Sequence, residues 1–220
     1  MGTHESTEVV PRLRGVSHAV AFLAAIGAAS VIVALAPSGT AAFALIVYGA
    51  GLVGLFGGSA LYHRWPGPAR FKSLLRRIDH STIFVFIAAS YTPVALILLH
   101  GIVAWLLLAG AWAGALAGVT FSLGWIDAPR TVVAGSYLAL GWIAAIALPQ
   151  LVGALDVVPL ALFAAGGILY SVGAVVYARQ RPDPWPHTFG FHEVFHALVI
   201  AAAAVHYVAM IGWVLPAARA

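Results

Sequence analysis

The sequence predicts an all-α membrane protein, a bundle of seven transmembrane helices with its N-terminus in the cytoplasm and its C-terminus outside. Three observations carry this. Hydrophobic residues make up 62% of the 220 residues and charged ones only 8%, against roughly 25% charged in a soluble domain. The apolar residues fall into stretches long enough to cross the hydrocarbon core, which takes about 20 residues of helix. The basic residues alternate regularly between the connections. Helix is the required form because lipid cannot satisfy an open backbone, and no membrane β-barrel alternation is present.

The predicted spans are 16–36, 41–62, 78–99, 102–123, 131–148, 159–177 and 191–215. The first opens behind Arg12 and Arg14 and ends at Pro37-Ser38-Gly39. It resembles a signal peptide with Ala34-Leu35-Ala36 as a cleavage site, but its apolar run exceeds the usual h-region of roughly 7–15 residues. Pro37 after the cut is also a poor substrate, so the helix is read as retained. The second and third spans flank the most basic connection, with Arg64, Arg70, Lys72, Arg76 and Arg77. Pro93 is expected to kink the third. Only His100 and Gly101 separate the third from the fourth, which carries Gly110, Gly114 and Gly118 at four-residue spacing. That ladder, and the pair Gly54 and Gly58, read as surfaces for close helix packing. Asp127-Ala128-Pro129 and Arg130 precede the fifth span, and Arg179 and Arg181 follow the sixth. Residues 1–15 and 216–220 are short tails, leaving one membrane domain over 16–215.

Ten of the eleven basic residues thus fall on one side, with Arg219 alone on the other. The positive-inside rule makes the basic side cytoplasmic, in the inner (plasma) membrane of the cell. The net charge of +4 is dispersed between apolar stretches. It suits anionic lipid and not nucleic acid. Cysteine is absent, which excludes disulfides and thiolate metal sites.

Ionisable groups inside membrane segments are costly and point to function. His63 ends the second span, Asp79 opens the third, and His192 and His196 open the seventh. All four share the cytoplasmic depth, with Ser59 one turn below His63 on the same face. His192 and His196, four residues apart, project from one helix face about 6 Å apart along the axis, a chelating spacing. His63 supplies a third imidazole. Three neutral imidazoles suit Zn²⁺ with a fourth position open to water, whose pKa the metal lowers toward about 7. Asp79 is then placed to accept a proton, and Ser59 to bond a substrate oxygen or orient Asp79. His80 and His187 are reserve ligands at the same depth. His4 lies in the polar tail, His18 opens the first helix and His100 is at the outer face. His206, nearly three turns below His196, is expected to bond a neighbouring helix. His192-Glu193-Val194-Phe195-His196 also matches H-E-x-x-H, which would make Glu193 the base of an intramembrane metalloprotease. No acidic residue follows His196 to complete such a site.

At these residues the chain resembles the hemolysin III family, the bacterial branch of the progestin and adipoQ receptor proteins, which include the adiponectin receptors. Alkaline ceramidases are more distant relatives. The resemblance rests on Ser59 to His63, Arg77-Ile78-Asp79-His80, Ala89 to Pro93, Tyr137 with Gly141-Trp142, Gly166 to Tyr170, His192 to His196, and Val205-His206-Tyr207. It implies seven helices with a cytoplasmic N-terminus and zinc near the inner leaflet on His63, His192 and His196. Asp79 and Ser59 would contact or orient water at the zinc. Receptor relatives carry Gln where Glu193 stands, which argues against Glu193 as an essential base.

Three functions follow. One is a zinc-dependent hydrolase of ceramide-like lipid amides, with membrane lipid as substrate or ligand. The second is a non-enzymatic sensor or homeostasis protein with structural zinc, and the third a pore-forming hemolysin. The uniformly apolar, retained topology ranks the last lowest. Substrate identity and oligomeric state are left open.

Overall fold

The structure is a computed structural model that describes residues 10–219. Among these residues the chain is all-helical, with seven helices long and apolar enough to cross a membrane. They are α1 (Val16–Leu35), α2 (Thr40–Arg64), α3 (Ala69–Leu98), α4 (Gly101–Gly124), α5 (Arg130–Ala154), α6 (Val157–Arg179) and α7 (Phe191–Ala217). His4 and the first nine residues of the predicted tail lie outside the described residues.

Consecutive helices α1 to α4 pack side by side, α5 packs on α6, and α6 on α7. Contact between α7 and α1 closes the ring. The helices α2, α3 and α7 are the most buried of the seven, while α1, α4, α5 and α6 turn large apolar side chains such as Leu23, Ile102, Leu116 and Val157 outward. A helix apolar all round is what a bilayer-facing position selects. Ten of the eleven basic residues therefore sit at the end of the bundle where α1, α3, α5 and α7 begin, hereafter the basic end. Arg219, at the other end, donates to the Leu35 carbonyl.

Two spans depart from uniform α-helix, each for a local reason. Pro93 removes one ladder donor, and α3 continues past it as a π-helical turn over Val94–Leu98. In α5 the α-helix Arg130–Gly141 tightens to a 3₁₀ stretch, Trp142–Ala147, and resumes over Leu148–Ala154. The Gly141 carbonyl there accepts from the Tyr91 hydroxyl. This span runs six residues beyond its expected end at 148. Pro149 falls in the first turn of the resumed helix, where a missing N–H costs nothing, so it does not stop the chain.

The glycine ladder on α4 packs as expected. A Cβ at Gly110, Gly114 or Gly118 would meet Ile143, Leu140 or Phe84 at 2.7, 2.5 and 2.2 Å. The Gly54–Gly58 pair is half right. Gly58 sits against Thr82, but nothing lies within 4 Å of a Cβ at Gly54. The partner on the α3-facing side is Gly51, seven residues before Gly58, where a Cβ would stand 2.6 Å from that of Ala89.

Candidate metal centre

At the basic end, α2 finishes in Tyr62-His63-Arg64 and α7 begins behind Gly190. The Glu193 carboxylate accepts the Gly190 N–H at 2.9 Å, a capping bond that fixes the first turn of α7. That turn aims His192 and, one turn on, His196 towards His63. One ring nitrogen from each of the three lies within 4.8 Å of the others. His63 Nε2 stands 3.2 Å from His192 Nε2. Two nitrogens on one tetrahedral zinc, each at 2.0–2.1 Å, are about 3.3 Å apart. His196 is 1% exposed, and its Nδ1 is buried without a hydrogen-bond partner. Three imidazoles at ligand spacing, His196 buried and His63 and His192 half-buried, are a donor set that fits a metal such as Zn²⁺.

Asp79, on α3, is buried, and its Oδ2 lies 3.8 Å from His63 Nε2. The Thr82 hydroxyl donates to the Asp79 carbonyl at 2.8 Å. Ser59 is buried one turn below His63, beside the Asp79 carboxylate. The structure thus gathers Ser59, His63, Asp79, His192 and His196 in one place. Neither reserve residue joins the three-histidine group. His80 lines the adjoining cavity, and His187 is exposed in the loop before α7, its carbonyl taking the Arg12 N–H. His206 behaves as expected, with Nε2 3.1 Å from the Phe163 carbonyl of α6. Its ring fills the space that a side chain at Gly166 would take.

Sequence reasoning passed over three residues. His18 is 3% exposed, with Nδ1 2.8 Å from Ser59 Oγ and its ring stacked on His196. It shares the depth of the other four polar groups, and depth was the signal that could have found it. Arg14 places Nε 2.7 Å from Glu193 Oε1, a close charge contact and not an aligned hydrogen bond. Gly15, with φ +75°, packs directly on His63. The segment before α1 is held there by the Arg12 and Leu13 N–H groups, which donate to His187 and Thr188 at 3.0 and 3.1 Å.

From this cluster a cavity of about 380 Å³ extends into the membrane-spanning region. Its upper end is lined by His18, Ser59, Asp79, His192 and His196, and its deeper wall is mainly apolar, down to Leu151 and Met210, with Tyr170 and His206 among the lining side chains. Trp142 and Ile168, exposed on the outer faces of α5 and α6, also line it.

Seven apolar helices around a three-histidine cluster define a multi-pass membrane protein with a candidate metal centre at one end. The chain belongs to the haemolysin-III-related family, whose model matches residues 7–207. It is 33% identical over 181 residues to Hemolysin-3 of Bacillus cereus, covering 81% of this chain and 78% of that protein. It is 29% identical over 195 residues to the Hemolysin-3 homolog of Bacillus subtilis, covering 87% and 88%. The monocyte to macrophage differentiation factor of Homo sapiens is 29% identical over 173 residues, covering 74% of this chain and 67% of that protein. The family falls within the progestin and adipoQ receptor superfamily.

Proposed function

We propose that this chain is a zinc-dependent hydrolase of ceramide-like lipid amides, working at the inner leaflet of the plasma membrane with its basic end and N-terminus in the cytoplasm. One observation carries the reading. His192, His196 and the buried Asp79 carboxylate line the polar end of a cavity whose deeper wall is mainly apolar, and His63 completes the three-imidazole group 3.2 Å from His192. At about 380 Å³ the cavity falls within the usual range of small-molecule sites, roughly 300–1,000 Å³.

His63, His192 and His196 would hold the metal. Zinc with an open position supplies a Lewis acid and an acidified water. Asp79 is placed to take a proton from attacking water and return it to the leaving amine as the carbon–nitrogen bond breaks. Ser59 steadies the Asp79 carboxylate, and the apolar wall shelters the acyl chain.

A second reading, structural zinc in a non-enzymatic sensor or homeostasis protein, has its own support. The α7 helix packs mainly on α6 and α1. A metal shared by His63 and the α7 histidines would therefore tie α7 to α2. The names of the Bacillus relatives raise a pore-forming reading, but apolar outward faces favour a resident bundle over a protein that enters the membrane from water.

The deciding experiment is metal analysis of purified protein followed by product detection on a panel of lipid amides and esters. Asp79→Asn should retain zinc and lose hydrolysis by about 10²–10⁴. A zinc-loaded wild type that releases no product across the panel, with Asp79→Asn lowering only the melting temperature, would select the structural reading.

A further inference from the structure

The first helix donates no ligand to the three-histidine group, yet His18 is built into it. Its ring lies parallel to that of His196, with centroids 3.6 Å apart and an 8° angle between planes. Phe56 meets the same ring edge-on at 5.1 Å and 77°. Nδ1 is held by Ser59 Oγ at 2.8 Å. His18 is thus fixed by two groups of α2 and presents a flat, immobile face to a ligand on α7.

Such a face has mechanical work to do. The terminal torsion of histidine is broad, so packing or a hydrogen bond must set the ring plane. A ligating histidine commonly gives its second nitrogen to a carboxylate or carbonyl, which locks the ring. With the metal on His196 Nε2, the second nitrogen is Nδ1, and it has no such partner among the described residues. A parallel ring at van der Waals distance resists tilting of the imidazole and so replaces the missing bond. The same His18 holds Ser59, and Ser59 lies beside Asp79, so one side chain touches both halves of the site.

We infer that His18 is a positioning residue that sets the ring plane of His196 by stacking and the hydroxyl of Ser59 by hydrogen bonding. The inference rests on the metal reading of His63, His192 and His196 and is independent of hydrolysis.

The test titrates Co²⁺ into the chelator-stripped full chain, reads the visible ligand-field spectrum, and measures Zn²⁺ affinity by competition. The proteins are wild type, His18→Ala, His18→Phe and His18→Asn, with thermal stability recorded for each. His18→Ala should bind metal about 10–100-fold more weakly, the range for removing a group that orients a ligand. Its cobalt spectrum should change too. His18→Phe keeps a flat ring and should restore affinity and spectrum. His18→Asn can keep the Ser59 bond without the ring and should not restore them. A folded His18→Ala with wild-type affinity and spectrum overturns the inference, as does rescue by Asn in place of Phe. If His18→Ala fails to fold, Phe and Asn decide between them. A folded wild type that takes up no cobalt or zinc overturns the metal reading and this inference with it.

Discussion

Gly15 is one residue from α1 and far in sequence from every candidate ligand, yet Gly15→Ala should damage the metal centre. Two costs meet there. The residue has φ +75°, and a left-handed conformation costs a side-chain-bearing residue about 1–2 kcal/mol. The added Cβ would stand 2.3 Å from His63 Cβ, where ordinary contact begins near 3.4 Å, so one of the two must retreat by about 1.1 Å (3.4 − 2.3). Overpacking of this kind typically costs about 1–3 kcal/mol. The sum is roughly 2–5 kcal/mol. The displacement matters more than the sum. Metal–ligand distances tolerate only about ±0.2 Å, far less than the retreat asked of His63. Gly15→Ala should therefore lower both the unfolding free energy in detergent and the zinc affinity. Gly27→Ala within α1, with nothing within 4 Å of its Cβ, should change neither. If Gly15→Ala kept wild-type stability and zinc affinity, the close approach of this segment to His63 would be wrong.

Three further outcomes are expected. Arg14→Met strands the Glu193 carboxylate at 1% exposure and should cost about 3–5 kcal/mol, whereas Glu193→Gln keeps an acceptor for the Gly190 N–H and should cost less. Denaturant titration of both variants checks the order, and the reverse order would refute the ion-pair reading. Gly118→Ala drives a Cβ to 2.2 Å from Phe84 and should destabilise by about 1–3 kcal/mol, while Gly135→Ala, with open space around it, should be near neutral in the same assay. Reporter fusions in the 65–68 and 182–186 connections should report cytoplasm, and one after Arg219 the outside. A cytoplasmic signal after Arg219 would invert the proposed arrangement.

Much of this was legible from residue order because the bilayer removes choices. A span must be helical and about 20 residues long, so apolar length alone yields seven helices. The three-histidine group was legible for a similar reason, since four polar side chains at one depth have few reasons to be there. Legibility ended where a residue's meaning depended on a partner from a distant segment. His18 is the one ionisable residue on an apolar helix, and its neighbours Ser59 and His196 come from α2 and α7. Gly54 and Gly58 have the spacing of a packing ridge, yet helix rotation turns Gly51 and Gly58 to α3. The fifth span ends at 148 by apolar length, yet the 3₁₀ stretch before it places Pro149 in a new first turn and the helix runs on to Ala154.

The H-E-x-x-H run shows how the surrounding fold decides which of two readings a motif takes. Residues 192 and 196 share a helix face, but position 193 is rotated from 192 by about 100°. Where the third ligand comes from decides on which side of the pair a metal sits. In this bundle the third imidazole is His63, carried in by α2, so a metal would lie between α7 and α2. Glu193 is turned instead to the segment before α1. One of its oxygens faces Arg14 at 2.7 Å, and the other takes the Gly190 N–H at 2.9 Å. Both oxygens are occupied in holding the start of α7, which leaves Glu193 poorly placed as a base. Asp79 is the carboxylate on the histidine side, 3.8 Å from His63 Nε2. The H-E-x-x-H mechanism needs Glu193 at the reacting centre, so it predicts a loss of activity in Glu193→Gln at least as large as in Asp79→Asn. The proposed hydrolase mechanism predicts that Asp79→Asn loses hydrolysis by about 10²–10⁴ and that Glu193→Gln retains most of it. The two rates, measured on zinc-loaded variants with one lipid amide, separate the mechanisms directly.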